Sequence, residues 1–189
     1  MGVPALATAA DLARIPPERG AEVVEGHVVY KASPSFSHGY VQGQIGGLLR
    51  FGSGGRGATG WWLVTEPDVE LEAHEVYRPD LAGWRRERVP SIPTEVPIRL
   101  RPDWVCEVLS PSTAGRDLSA KLRGYHRSGI PHYWVVDPEH HTLVIYRWQS
   151  DTYAVAGSAG LGDTIQAEPF AVDLSVAQLF GDLVPTAPP

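Results

Sequence analysis

Three charged side chains in the middle of the chain have the types and spacing of a hydrolytic site. Asp80 follows Pro79 at the start of a short apolar run, and Glu107 lies within the apolar stretch 104–109. A carboxylate inside an apolar strand is costly to bury unless a cation compensates it. Lys121 follows on a predicted helix, and two carboxylates can hold a hard divalent cation such as Mg²⁺. Such an ion lowers the pKa of bound water and neutralises charge on a phosphate oxygen, so the set indicates phosphodiester hydrolysis.

Two further polar residues are candidates for the same site. Glu66 precedes Pro67 at a predicted strand end and is either a further acidic partner or a hairpin carboxylate. His38 begins a glycine-bearing helix, where it either contacts a phosphate or acts as a cap or packing residue. The sequence leaves both alternatives open.

The elements that would position these residues form a strand–helix–strand unit. Residues 104–109 predict a buried strand, and residues 132–136 predict a second one. The helix between them carries Lys121 and ends where Gly129 and Pro131 follow, as a C-terminal glycine and a later proline indicate. A unit of this length is typical of a crossover connection, which implies that the two strands pair in parallel.

The remaining periodicity predicts an α/β fold. Apolar spacing predicts helices over 8–14, 37–51 and 176–180, with a glycine-rich connection over 52–60. Strands and hairpins are predicted over 22–31, 61–65, 69–73, 80–84, 143–148, 152–156 and 164–167. We expect a mixed central β-sheet flanked by helices, with an additional β-hairpin at each edge.

Composition restricts the class of protein. The 189 residues suffice for one domain with a sizeable core, and the hydrophobic fraction of 43% is ordinary for a globular protein. No apolar run approaches the roughly 20 residues of a membrane span. The single cysteine, Cys106, forbids an internal disulfide and favours a reducing cytoplasm. We expect one domain over 1–181 and a flexible proline-rich tail over 182–189.

The charge is unevenly distributed along the chain. The formal net charge of −6 argues against non-specific coating of nucleic acid. Residues 78–127 nevertheless hold ten of the 16 basic residues and six of the 22 acidic ones. This excess is compatible with a local phosphate-binding face, and equally with solvated or paired arginines. The arginines that we consider for contacts with a DNA backbone are Arg85, Arg86, Arg116 and Arg123.

The order of these motifs resembles the Uma2 family, also called DUF820, of the PD-(D/E)XK nuclease-like superfamily. The matching residues are Pro79-Asp80, Glu107-Val108-Leu109-Ser110-Pro111-Ser112-Thr113, Asp117, Lys121, Tyr125, Gly129 and Tyr133-Trp134-Val135-Val136-Asp137-Pro138. Weaker similarity extends to Val24-Glu25-Gly26, His38 and Glu66-Pro67-Asp68-Val69, so the resemblance covers most of residues 22 to 180.

The resemblance implies a restriction endonuclease-like fold and a Mg²⁺- or Mn²⁺-dependent endonuclease acting on DNA. Asp80 and Glu107, helped by the backbone carbonyl of Val108, would hold the metal. Lys121 would orient or deprotonate the attacking water and stabilise the phosphate. Family members of this type often pair, so the resemblance also implies a homodimer.

One departure from the superfamily pattern keeps other functions open. Leu109 stands where the superfamily has a lysine two residues after the glutamate, so Lys121 would have to supply the ammonium from the helix. The alternative is a catalytically inactive nuclease fold that serves as a binding or dimerisation module. A third reading is an enzyme for another phosphodiester or nucleotide substrate.

Overall fold

The structure is a computed structural model that describes residues 5–51, 59–111 and 114–181, without the side chains of Arg116 and Asp117. This part of the chain forms twelve strands, one helix of 16 residues and several shorter helices. The predicted tail 182–189, most of the glycine-rich connection, and Ser112 and Thr113 lie outside these residues. The strands are β1 (Ala21–Val24), β2 (His27–Tyr30), β3 (Trp61–Thr65), β4 (Val69–Glu72), β5 (Glu75–Tyr77), β6 (Leu81–Arg85), β7 (Trp104–Val108), β8 (His132–Asp137), β9 (Thr142–Trp148), β10 (Tyr153–Ala159), β11 (Thr164–Ala167) and β12 (Val172–Ser175). The helices are α1 (Ala9–Leu12), α2 (Phe36–Phe51), α3 (Ala114–Arg116), α4 (Leu122–Arg127) and α5 (Val176–Phe180).

The central sheet has six strands in the order β10-β9-β8-β7-β6-β3. Strands β7 and β8 pair in parallel, and the other neighbours in this sheet pair antiparallel. The sheet is therefore mixed, and the predicted crossover between the two buried strands is confirmed. The β9–β10 hairpin forms one edge, as expected.

The N-terminal hairpin does not extend the other edge of this sheet, so that expectation is wrong. Strands β1 and β2 belong to a second sheet, in the order β2-β1-β5-β4. The short strand β5 pairs with both β1 and β4, and so joins the β1–β2 hairpin to β4. With only three residues, β5 is too short to give a periodic signal in the sequence.

The connection from β7 to β8 is a helix with an irregular middle. Between α3 and α4, residues Asp117–Lys121 form a π-helical segment that ends at Lys121. A π-helical turn widens the helix locally and is often found at functional sites. Gly129 then adopts a φ of +66°, the left-handed conformation in which a glycine commonly ends a helix.

The central sheet separates two apolar layers. Helices α2 and α5 cover one face, where Trp104, Cys106 and Val108 of β7 are buried. The second sheet and α4 cover the other face, where Val105 is buried. Because successive side chains of a strand point to opposite faces, Glu107 points with Val105 toward the second sheet and α4. Among the described residues, no helix has the length and apolar character that crossing a membrane would require.

Candidate active site

Asp80 and Glu107 lie side by side because β6 and β7 are antiparallel neighbours. The register pairs Leu81 of β6 with Cys106 of β7. Because the two strands run in opposite directions, Asp80, the residue before Leu81, lies beside Glu107, the residue after Cys106. The backbone N–H of Val108 donates a hydrogen bond of 2.7 Å to Oδ2 of Asp80. Both carboxylates are almost fully buried, with 2% and 1% of each residue exposed. Residues separated by a long loop in the sequence thus form one acidic pair.

Glu107 is held by two residues of the helix that follows its strand. Nζ of Lys121 lies 2.8 Å from Oε1 of Glu107, and the hydroxyl of Tyr125 donates to the same oxygen over 2.6 Å. Positions four residues apart share a helix face, which explains why both reach one carboxylate. Burial, followed by the charge of Glu107, raises the pKa of Tyr125 well above its ordinary value, so this hydroxyl stays a donor.

A third carboxylate completes the cluster around Lys121. Oε1 of Glu22, on β1 of the second sheet, lies 2.7 Å from Nζ of Lys121 and accepts the backbone N–H of Arg78 over 2.7 Å. Glu22 and Lys121 are each buried. Glu22 is not among the residues selected from the sequence, although an acid in a fully buried strand is the signal that identified Glu107. Lys121 therefore links the second sheet to the central one.

Asp80 has its own cationic partner, which the sequence analysis also missed. Nζ of Lys31, in the segment after β2, donates to Oδ1 of Asp80 over 2.8 Å, and Nε2 of His38 lies 3.3 Å from the same oxygen. Burial alone would raise the pKa of Asp80, but His38 and Lys31 outweigh it and hold the pKa well below the usual range. Gln42, one turn after His38 on α2, donates to the Asp80 carbonyl over 2.8 Å. The N-terminal part of α2 thus positions Asp80.

Lys31 lies in the field of both carboxylates. Burial lowers the pKa of its ammonium, but Glu107 and then Asp80 raise it, and the net shift is upward. Nζ also donates to the carbonyl of Arg78 over 2.9 Å. Lys31 is therefore a charged ammonium held between the paired strand ends and β5.

The acidic pair opens onto a cavity of about 430 Å³. Lys31, His38, Glu66, Asp80 and Glu107 line it, together with the segments 17–20 and 32–35, Arg78, Ser110 and Pro111. Glu66 has a φ of +49°, and its backbone N–H donates to the carbonyl of Asp80 over 3.1 Å. The structure thus brings together four of the residues selected from the sequence. Lys121 lies behind Glu107 and is not part of the lining.

Three of the arginines selected from the sequence, Arg85, Arg86 and Arg123, are not among the residues that line this cavity. Arg85 is the last residue of β6 and Arg86 follows it, so both lie at the end of the strand that is opposite to Asp80. There Arg85 stacks on the ring of Trp61 at 4.8 Å and Arg86 on the ring of Trp62 at 3.9 Å. Arg123 pairs with Glu25 over 3.0 Å on the surface. The side chain of Arg116 lies outside the described residues.

Two other arginines are at the cavity itself. Arg19 and Arg78 line it, and Arg78 forms two hydrogen bonds to Asp68, of 2.7 and 2.9 Å. This fork-to-fork pair fixes the guanidinium beside the cavity opening.

The donor set fits a hard divalent cation. Asp80, Glu107 and Glu66 line one cavity and carry carboxylate oxygens, and Mg²⁺ prefers oxygen ligands. Within residues 5–51, 59–111 and 114–181, no three His, Cys, Asp or Glu side chains are arranged to hold a metal by themselves. A bound Mg²⁺ would therefore take its other ligands from water and substrate phosphate, as it commonly does. The Val108 carbonyl stays a predicted ligand; its N–H is the group that contacts Asp80.

The low pKa of Asp80 predicts that the folded protein loses stability in acid. Because its folded-state pKa lies below the unfolded value of about 3.9, ionised Asp80 stabilises the fold above that value, and this contribution is lost as the pH falls toward the folded pKa. We expect Asp80→Asn to have a lower melting temperature than the wild type at pH 7. The difference in melting temperature between Asp80→Asn and the wild type should narrow below about pH 4. Thermal melts between pH 7 and pH 3 measure it, with the exposed Asp151→Asn as a control that follows the wild type. A difference that stays constant to pH 3 would contradict the assignment.

Comparisons with known proteins agree with this fold. The family model Uma2, described as "Putative restriction endonuclease", matches residues 9–179. The structure is similar to the crystal structure of a putative nuclease belonging to DUF820 from Anabaena variabilis ATCC 29413. That similarity has a TM-score of 0.76 and 21% sequence identity, and covers 94% of this chain and 99% of the other. Among curated proteins, none matches the chain significantly.

Proposed function

The chain belongs to the Uma2 family of putative restriction endonucleases, and on that premise we propose that it is a metal-dependent endonuclease that hydrolyses phosphodiester bonds in DNA. One observation supports this most directly. Asp80, directly before β6, and Glu107, on the adjacent β7, line a cavity of about 430 Å³, with a buried ammonium behind Glu107. The family description supports a nuclease-type protein, and we add to it the divalent metal and the DNA substrate.

In this proposal Asp80, Glu107 and the Val108 carbonyl hold Mg²⁺ or Mn²⁺. When bound, such an ion would lower the pKa of its water and neutralise charge on a phosphate oxygen. Lys121 and Tyr125 fix the Glu107 carboxylate, since both donate to its Oε1. Lys121 is also our candidate for orienting the water, because its ammonium can donate a hydrogen bond; this requires the water to reach the Glu107–Lys121 pair, and deprotonation by Lys121 would require the neutral amine.

The remaining lining residues have defined roles in the same proposal. Glu66 is an additional acidic group at the cavity, and His38 orients Asp80 through its contact at 3.3 Å. Arg78 and Arg19 are placed to contact a phosphate that enters the cavity. Arg85, Arg86, Arg116 and Arg123 stay candidates for more distant contacts along a DNA backbone. A homodimer and a cytoplasmic location are likewise proposals.

The structure also has a feature that favours the inactive binding module as a second candidate. Lys31 and Lys121 already pair with the carboxylates of Asp80, Glu107 and Glu22. Buried ion pairs of this kind can be retained for specificity of the fold alone. In that case the cluster needs no metal, and the cavity would serve to bind a partner.

A cleavage assay separates the two candidates. Supercoiled plasmid, single-stranded DNA and RNA are incubated with the protein and Mg²⁺, Mn²⁺ or a chelator. We expect nicking or linearisation of DNA with either metal and none with the chelator. Equal products with metal and chelator would contradict metal dependence, cleavage of RNA alone would contradict the DNA substrate, and intact nucleic acid throughout would favour the binding module.

A further inference from the structure

Lys31 contacts one of the two carboxylates that would hold a divalent ion. Its ammonium lies 2.8 Å from Oδ1 of Asp80, and Lys31 lines the cavity together with Asp80 and Glu107. The charge of Lys31 is therefore already beside the acidic pair that would hold a metal. Two cations cannot occupy one position between the same oxygens, because their mutual repulsion adds to the steric conflict.

The surroundings of the two lysines differ in a way that makes Lys31 the movable one. The side chain of Lys121 is 1% exposed and lies between Glu22 and Glu107. The side chain of Lys31 is 15% exposed and lines the cavity. A lysine carries its charge on a flexible four-carbon stem, so its ammonium can shift while the backbone stays in place. The open cavity gives the Lys31 ammonium somewhere to go.

The charge balance of the cluster supports the same distinction. Asp80, Glu107 and Glu22 face the two ammonium groups of Lys31 and Lys121. Displacing Lys31 leaves Asp80 in contact with His38 and with the Val108 N–H, and a divalent ion at that place restores the compensation. Displacing Lys121 instead would remove the cation that compensates the buried charge of Glu22. Glu22 is not part of the cavity lining, so an ion in the cavity would not replace that cation.

We propose that Lys31 is a tethered cation that neutralises the Asp80–Glu107 pair in the metal-free protein and is displaced into the cavity when the divalent ion binds. This inference rests on the metal site of the proposed function. Its consequence is that the native protein binds metal less tightly than its carboxylates alone would allow. Lys31 is in this sense a positioning residue that sets the metal affinity of the site.

Titration calorimetry with Mn²⁺ tests this, because it needs no substrate and no turnover. The variants are Lys31→Met, which removes the charge at similar length, and Lys31→Arg, which keeps it. We expect Lys31→Met to bind Mn²⁺ at least about ten-fold more tightly than the wild type, because the ion no longer has to displace an ammonium from its 2.8 Å contact with Asp80. Lys31→Arg should bind no more tightly than the wild type. Adding Asp80→Asn to Lys31→Met should abolish the gain.

Thermal melts give a second readout on the same proteins. Without metal, Lys31→Met should melt below the wild type, because Asp80 loses a buried partner. Added Mn²⁺ should raise its melting temperature more than that of the wild type, since tighter binding to the folded state stabilises it further. If Lys31→Met does not fold, Lys31→Gln removes the same charge with a polar side chain and takes its place.

The outcomes separate this inference from the proposed function. Equal Mn²⁺ affinity in the wild type and the neutral variants would overturn the role of Lys31, even if the wild type cleaves DNA. Absence of Mn²⁺ binding in every protein would overturn it as well. Tighter binding by Lys31→Met with no cleavage by any protein would support the role of Lys31 and contradict the nuclease function.

Discussion

Replacing Lys121 with methionine is expected to lower the free energy of unfolding by about 3–5 kcal/mol, the cost of leaving a buried ion pair without one partner. Lys121 is 1% exposed and lies 2.7 and 2.8 Å from the carboxylates of Glu22 and Glu107. Methionine fills a similar volume but leaves two acids facing each other across an apolar side chain. Urea unfolding followed by circular dichroism measures the change.

An exposed ion pair two residues after Lys121 provides the control for this stability change. Arg123 pairs with Glu25 while both side chains are about half exposed. Exposed pairs of this kind contribute about 0.2–1 kcal/mol, so Arg123→Met should change stability little. Adding Glu22→Gln to Lys121→Met should recover part of the loss, because one stranded charge is removed. A loss for Lys121→Met no larger than that for Arg123→Met would show that the cluster does not depend on this ammonium.

Replacing either acid of the pair is expected to reduce cleavage by about 10³-fold, comparable to the loss of one strong electrostatic contact in an active site. Asp80→Asn and Glu107→Gln are the suitable changes, because each amide still accepts a hydrogen bond and keeps the shape of the side chain. Glu107→Gln can still accept from Lys121 and Tyr125, which donate to the same oxygen, whereas Asp80→Asn can keep only one of its contacts with Lys31 and the Val108 N–H, which use different oxygens. Initial rates of plasmid nicking with Mg²⁺ give the ratio to the wild type.

The same change at an exposed position controls for altered net charge. Asp151 lies exposed in the turn between β9 and β10, and Asp151→Asn should cleave at the wild-type rate. Circular dichroism of each variant checks that the fold is retained. Wild-type cleavage by both Asp80→Asn and Glu107→Gln would refute the assignment of these two residues to the catalytic site.

Sequence periodicity predicted the part of the fold that local pattern can specify. Residues 104–109 are apolar apart from Glu107, residues 133–136 are all apolar, and the helix between them ends at clear stop signals. Those features require a crossover unit, and β7 and β8 do pair in parallel. The second sheet was different, because β5 has only three residues and its partner β1 lies far away in the sequence.

The same limit applies to the site. Glu107 and Lys121 lie within one supersecondary unit, so their contact follows from that unit alone. The contacts of Glu22 with Lys121 and of Lys31 with Asp80 instead depend on how the N-terminal hairpin docks on the central sheet. No local pattern encodes that docking. A compositional signal did exist, however, since Lys31 and Lys121 are the two lysines in a chain with 14 arginines.

The location of both lysines in the acidic cluster has a practical consequence for chemical labelling. Reagents that acylate primary amines do not modify arginine, so within the side chains of this protein they can react only at these two positions. Lys121 is enclosed, whereas Lys31 reaches the cavity. Mass spectrometry of an acylated sample would therefore report the accessibility of a single amine, without any introduced label.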